Sequence, residues 1–139
     1  MIRAVVDPGV LVSGLISPNG VPARIVRFFA EGAFDLVVSP ALLTELEDVV
    51  QRPHLVERLP ARDADRLLIT IRAAAVVVED PPLLRGVTPD PKDDYLISLA
   101  RAAGADVIVS GDRHLIGLPS AQPRVLTPRA FVDLLEAVS

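Results

Sequence analysis

The sequence predicts an α/β fold, a central and mostly parallel sheet of about five strands with helices on both faces. Three observations carry that expectation. Short β-branched runs recur along the chain and end at turn residues, each run is followed by a helical pattern, and those helices open on proline or on a capping pair.

Residues 2–6 (IRAVV) read as a buried strand that ends in a turn at Asp7-Pro8-Gly9. Ser17-Pro18-Asn19-Gly20 is a second turn, and a helix is expected from about Val21, with Pro22 near its first position and Gly32 as its stop. Phe34–Val38 is the second strand. Ser39-Pro40 then supplies the cap and first position of a helix bearing Leu42, Leu43, Leu46, Val49 and Val50, closed by Pro53. A helix over 62–74 precedes a third strand at Val76–Glu79, and Asp80 to Pro91 is loop. The next helix starts near Pro91 and runs to Gly104, Asp106–Ser110 is the fourth strand, and Arg124–Leu126 is a short fifth. Thr127-Pro128 caps the last helix.

Length bounds the rest. At 139 residues the chain is expected to be one domain, residues 1–139, with enough length to bury a core. It has no cysteine, which excludes a disulfide scaffold and a cysteine-based zinc site and fits a reducing cytoplasm. No signal-peptide layout is visible at the N-terminus, and no apolar run approaches the ~18 residues of a membrane span. The expected location is cytoplasmic, with no membrane partner. The formal charge of −4 is unusual for a nucleic-acid binder, but acids gathered at one metal site weigh on that total. The basic residues are thirteen Arg and one Lys, and Arg suits phosphate through its planar fork of donors. Four Phe, one Tyr and no Trp leave little for a base-stacking platform, so a bound nucleic acid would be held by its backbone.

Ligands of open α/β sheets bind beyond the carboxyl ends of the strands, and that rule selects residues. Asp7 follows the first strand, Asp112 lies just past the fourth, and Asp94 sits in the first turns of the helix reached from the third. Two carboxylates ~4 Å apart repel by roughly 4 kcal/mol at an effective dielectric of 20, so acids converging on one edge call for a shared cation. Hard ions such as Mg²⁺ and Mn²⁺ take such oxygens, and metal-assisted phosphodiester hydrolysis then needs no side-chain nucleophile.

Duller readings stand beside these. Asp7 can be a turn former, and Asp112 can cap a short turn. Asp90-Pro91-Lys92-Asp93 is explained by a cap, a first-position proline and an acidic third position, which leaves Asp94 without a structural task. Glu45 and Glu47 border opposite sides of the apolar face of their helix, and periodicity does not choose between them. His54 and His114 are too far apart to form a metal motif, and His114 is read as a surface residue. Arg24, Arg27, Arg58, Arg62, Arg66 and Arg72 read as solvated helix faces. No nucleophile elbow, phosphate-cradling loop or dinucleotide fingerprint is present.

The segments VVDPGVLVSGLISPNGVPARIV, FDLVVSPALLTELEDVVQRP, TPDPKDDYLISLARAAGADVIVSGDRHLI and VLTPRAFVDLL, taken in order, resemble the PIN domain over essentially the whole chain. They look most like bacterial PIN proteins classed as toxins of toxin–antitoxin pairs. The resemblance implies a three-layer α/β/α fold and a Mg²⁺- or Mn²⁺-dependent ribonuclease. It places the family's four catalytic and metal-binding acids on Asp7, Glu45, Asp94 and Asp112, choosing Glu45 over Glu47. Ser110, Asp90 and Asp93 then belong to the surrounding shell. It also implies an RNA substrate, a homodimer and an inhibitory protein antitoxin. One departure stands out: the family opens Asp-Thr-Asn where this chain has Asp7-Pro8-Gly9. Such losses around a metal can cost ~10–100-fold in affinity or activity, so weak activity or a preference for Mn²⁺ is the expectation. Two rival functions remain, a catalytically weak or inactive PIN scaffold acting through a partner and a small-molecule metal-dependent phosphatase.

Overall fold

The computed structural model describes residues 1–82, 86, 88–118 and 122–138. Five parallel strands, β1 (Arg3–Val6), β2 (Asp35–Val38), β3 (Val76–Val77), β4 (Val107–Val109) and β5 (Val125–Leu126), form one sheet in the order β3-β2-β1-β4-β5. The described helices are α1 (Pro8–Ile16), α2 (Val21–Ala30), α3 (Pro40–Val50), α4 (Pro53–Val56), α5 (Ala61–Ala74), α6 (Pro91–Ala102), α7 (Arg113–Ile116) and α8 (Pro128–Val138). The architecture is a three-layer α/β/α sandwich.

The register follows from the strands' composition. Ala4, Val5 and Val6 pair with Val107, Ile108 and Val109, and all six are buried, as expected of central parallel strands covered on both faces. Leu36, Val37 and Val38 of β2 continue this core on the other side of β1. α6 lies against β1 and β4, while α1 packs on α2 and α3, and α2 on α8. Gly14 makes the α1–α2 contact possible. A Cβ there would stand 2.8 Å from the Pro22 carbonyl oxygen, closer than real side chains approach backbone. Gly104, at φ 63°, turns the chain out of α6 in a conformation glycine adopts without strain.

The chain runs outward from β1 through β2 to β3, then returns to β4 on the opposite side of β1. The strand order therefore reverses between β1 and β4, the place where open α/β sheets form their ligand crevice. Asp7 and Asp112 follow those two strands.

The expected elements are present with boundaries shifted by a few residues, and three helices, α1, α4 and α7, were not expected, although α7 stands where Asp112 was read as able to cap a short turn. Asp7-Pro8-Gly9 is the start of α1 and not a turn. The Asp7 carboxylate accepts the Gly9 N–H at 3.0 Å, and Pro8 occupies the first helical position. α1 escaped pattern reading because Val10, Leu11, Val12 and Gly14 are all buried, leaving almost no amphipathic period, and valines are poor local signals of a helix. Beyond Val50 the chain also makes one further turn, α4, from Pro53, where the sequence suggested only a stop. Residues 83–85 and 87 of the expected loop lie outside the described residues.

Candidate metal centre

Each acid at the carboxyl edge is held by a local feature of the chain. Asp7 caps α1 and also meets Ser110, whose Oγ donates to Asp7 Oδ2 at 3.3 Å. Ser110 is fully buried and accepts the Asp112 N–H at 3.0 Å, so one hydroxyl links the ends of β1 and β4. Asp112 caps α7 by accepting the His114 N–H at 2.8 Å. Asp90 caps α6 through the Lys92 N–H at 2.9 Å, with Pro91 next to it. Capping thus explains three of these acids locally. It does not explain why three caps from separate helices meet at one edge.

They meet in a small pocket of about 110 Å³ lined by Asp7, Pro8, Glu45, Asp90, Lys92, Asp93, Leu96 and Asp112. Carboxylate oxygens of Asp90, Asp93 and Asp112 all lie within 4.8 Å of one another. Five carboxylates face one ammonium, that of Lys92, whose Nζ is 3.9 Å from Glu45 Oε1. Glu47, the rival of Glu45, forms an ion pair with Arg72 instead.

Asp94 is placed elsewhere. Its buried carboxylate accepts the Thr88 N–H at 2.7 Å and the Gly86 N–H at 3.2 Å, and it does not line the acidic pocket. The Thr88 hydroxyl in turn donates to the Asp90 carbonyl at 2.7 Å. Asp94 therefore holds the stretch that delivers Asp90, which is the structural task the sequence left open. Asp93, expected only in the surrounding shell, occupies the pocket. Successive helical positions differ by about 100°, so neighbouring aspartates face different surroundings.

The electrostatics follow from the crowding. Burial, then the negative charge of Asp112 and a hydrogen bond to it, push the Asp93 carboxyl up to about 6. Burial also raises Glu45, opposed by Lys92 and reinforced by Asp7. The crowding makes the Asp93 carboxyl hold its proton to higher pH than an ordinary aspartic acid does.

A second set of bonds fixes the frame. The Tyr95 hydroxyl donates to Asp80 Oδ1 at 2.5 Å and also meets Ser39 Oγ, while the Ala41 N–H donates to the same Asp80 oxygen at 3.2 Å. This ties α6 to the start of α3, and so sets Glu45 against Asp93. The Tyr95 hydroxyl is pushed up to about 12, first by burial and then by its bond to Asp80. That bond holds the Asp80 carboxyl below its ordinary range.

Sequence reasoning missed Lys92 as a site residue. Its one signal was that it is the only Lys in a chain that otherwise uses Arg. Both histidines are exposed, and Arg24 and Arg72 are paired with Glu136 and Glu47.

A family model of the PIN domain matches residues 3–114. This chain belongs to the PIN-domain family. It is 28% identical over 144 residues to the uncharacterized protein MJ1680 of Methanocaldococcus jannaschii, an alignment covering 97% of this chain and 92% of that protein. Its fold is similar to the crystal structure of PAE2754 from Pyrobaculum aerophilum, with a TM-score of 0.67 and 19% identity over 98% of this chain and 90% of that one. PIN domains are generally nucleases that use divalent metals.

The residues here fit such an ion. The donors are hard carboxylate oxygens, which suit Mg²⁺ or Mn²⁺, and those of Asp90, Asp93 and Asp112 lie close enough to share one ion. A pocket of about 110 Å³ has room for an ion with a few waters at about 30 Å³ each. The Pro8-Gly9 departure of this PIN domain leaves no side chain at position 9 to support a ligand. The Gly9 amide orients Asp7 instead. Among the described residues, no helix is long and apolar enough to cross a membrane.

Proposed function

We propose that this PIN domain is a metal-dependent endoribonuclease that hydrolyses RNA phosphodiester bonds, with Asp7, Glu45, Asp93 and Asp112 as its central acids and Asp90 beside them. The observation that carries the reading is the convergence of five carboxylates on one lysine at the point where the strand order reverses. Asp93, Asp112 and Asp90 have the mutual spacing to share an ion, and Asp7 and Glu45 close the pocket from α1 and α3. Bound Mg²⁺ or Mn²⁺ would lower the pKa of an attacking water and stabilise charge on the leaving oxygen. The protein's own contribution is placement. Ser110 holds Asp7 and Asp112 in register, Asp94 secures the segment leading to Asp90, and the Lys92 ammonium supplies positive charge for the phosphate.

The likeness to toxin-class PIN proteins extends the reading to the toxin of a toxin–antitoxin pair, acting in the cytoplasm as a homodimer. Two apolar grooves support docking by an antitoxin or a second copy. One, between α2 and α5, is lined by Val26, Phe29 and Leu67, and the other by Val50, Leu59 and Leu68. Light scattering of the purified chain tests the dimer, with a monomer at micromolar concentration as the contrary result.

The function is tested by incubating purified protein with a labelled mixed RNA pool in EDTA, Mg²⁺ or Mn²⁺, beside Asp7→Asn and Asp93→Asn. Cleavage that needs metal and is lost in both variants is expected. Cleavage surviving both substitutions would place the activity outside this site or in a contaminant, and no cleavage with either ion would leave an inactive scaffold; either result overturns the reading.

A further inference from the structure

The acidic pocket is one of two chambers that share a wall. On the other side of Asp7 and Asp112 lies a groove of about 330 Å³, bounded by Gly9, Val10, Ser13, Pro22, Gly111 and Pro128 together with those two acids. We propose that this groove is the subsite for the uncharged nucleoside portion of RNA next to the scissile phosphate. The inference rests on the ribonuclease reading above and adds where the substrate's sugar and base sit.

Three observations point the same way. The first is size. Pockets for small organic ligands start at roughly 300 Å³. At about 330 Å³ the groove reaches that scale, whereas the acidic pocket, at about 110 Å³, holds little more than an ion and its waters. Second, charge separates the two chambers. Lys92 lines the acidic pocket, but among the described residues no Arg or Lys lines the groove, and the charged groups there are the two shared carboxylates. The positive charge that would hold a phosphate, Lys92 and the proposed ion, gathers on the acidic-pocket side, so the neutral part of a nucleotide is the part that fits the groove. Third, the walls are apolar and built on well-anchored backbone. Gly9, Val10 and Ser13 come from α1, Pro22 and Pro128 from the first turns of α2 and α8, and Gly111 from the turn after β4.

Gly111 keeps the groove wide. A Cβ at this position would meet nothing within 4 Å, so open space adjoins it. Ser13 is exposed, and its Oγ donates to the Gly9 carbonyl at 2.8 Å, a bond within α1 that a larger side chain gives up at little cost. Among the described residues the groove lining contains no Phe or Tyr, so recognition proceeds by shape rather than by base stacking, and purines and pyrimidines should be held alike.

The test is calorimetric binding to the full chain with saturating Mn²⁺, comparing inorganic phosphate with adenosine and uridine 5′-monophosphate. Both nucleotides are expected to bind at least about tenfold more tightly than phosphate, a difference set by the added ribose and base. Ser13→Phe and Gly111→Leu, on separate elements, should each abolish that advantage while phosphate still binds. Nucleotides binding no tighter than phosphate, or an advantage that survives in either variant, would overturn the subsite and leave the metal centre standing. If neither phosphate nor nucleotide binds the Mn²⁺-loaded protein, the subsite and the ribonuclease reading fall together.

Discussion

Both ends of the central sheet carry aspartates, and the two ends use them differently. At the amino end, Asp35 opens β2 and Asp106 precedes β4, and the Asp106 carboxylate accepts the Arg3 N–H at 2.8 Å, stitching β4 to β1. The Arg3 guanidinium completes that stitch by donating to the Ala103 carbonyl at 3.1 Å. At the carboxyl end, Asp7, Asp90 and Asp112 also bind backbone amides, yet Asp93 and Glu45 crowd in beside them, with Lys92 in the pocket and Arg52 acting on Glu45 to offset part of the charge. At one end the acid is spent on a bond between strands. The other holds more negative charge than the fold needs, and its Asp93 carboxyl sits near 6 as a consequence. An acid whose charge is matched by local donors is structural, while a surplus that folding does not require points to a ligand.

The comparison breaks most sharply at Asp93. Asp93→Asn should lower metal-dependent RNA cleavage at least ~100-fold, with no rescue at high Mn²⁺, as initial rates across a metal titration would show. Asp94→Asn should behave differently although the two residues are adjacent. Loosening the Gly86–Asp90 stretch should weaken Mn²⁺ affinity by about tenfold while saturating Mn²⁺ restores most of the rate. Equal, unrescued losses in both variants would mean that Asp94 is itself a ligand.

The pH dependence of stability sharpens the same contrast. The folded protein binds the Asp93 proton more tightly than the unfolded chain, with a value raised from an ordinary 3.8 to about 6. The contribution of this group is therefore fully present below about pH 4 and lost as pH rises through 6. In EDTA, the melting temperature should fall between pH 4 and 7, and it should fall less in Asp93→Asn. A metal-free protein with identical pH profiles in the two forms would contradict the assignment. The smallest effect belongs to the other end. Asp106→Ala should cost about 0.5–1.5 kcal/mol in urea denaturation, the ordinary value of one hydrogen bond, and leave Mn²⁺ affinity unchanged.

Much of this is legible in the amino-acid sequence. The parallel sheet followed from β-branched runs alternating with proline-opened helices. Asp7 and Asp112 followed from their places after β1 and β4, because a strand end fixes where the next residue goes. The Asp90-Pro91 start of α6 was equally plain, since capping chemistry is local. The choice between Asp93 and Asp94 was not. It depends on the Thr88 and Gly86 amides, and a loop's path is not encoded in helical periodicity. α1 stayed hidden for a related reason: burial on nearly every side erases the pattern that announces a helix. Periodicity did not separate Glu45 from Glu47; the family resemblance chose Glu45, and the structure adds that Arg72 of α5 pairs with Glu47.

The central claim is that the surplus of carboxylates at the carboxyl end is a cation site. Calorimetric titration of Mn²⁺ into the metal-free protein at pH 7.5, beside Asp93→Asn and Asp106→Ala, tests it most directly. Saturable binding to the wild type and Asp106→Ala, lost in Asp93→Asn, is the predicted result. No saturable binding, or binding that Asp93→Asn leaves intact, would contradict it.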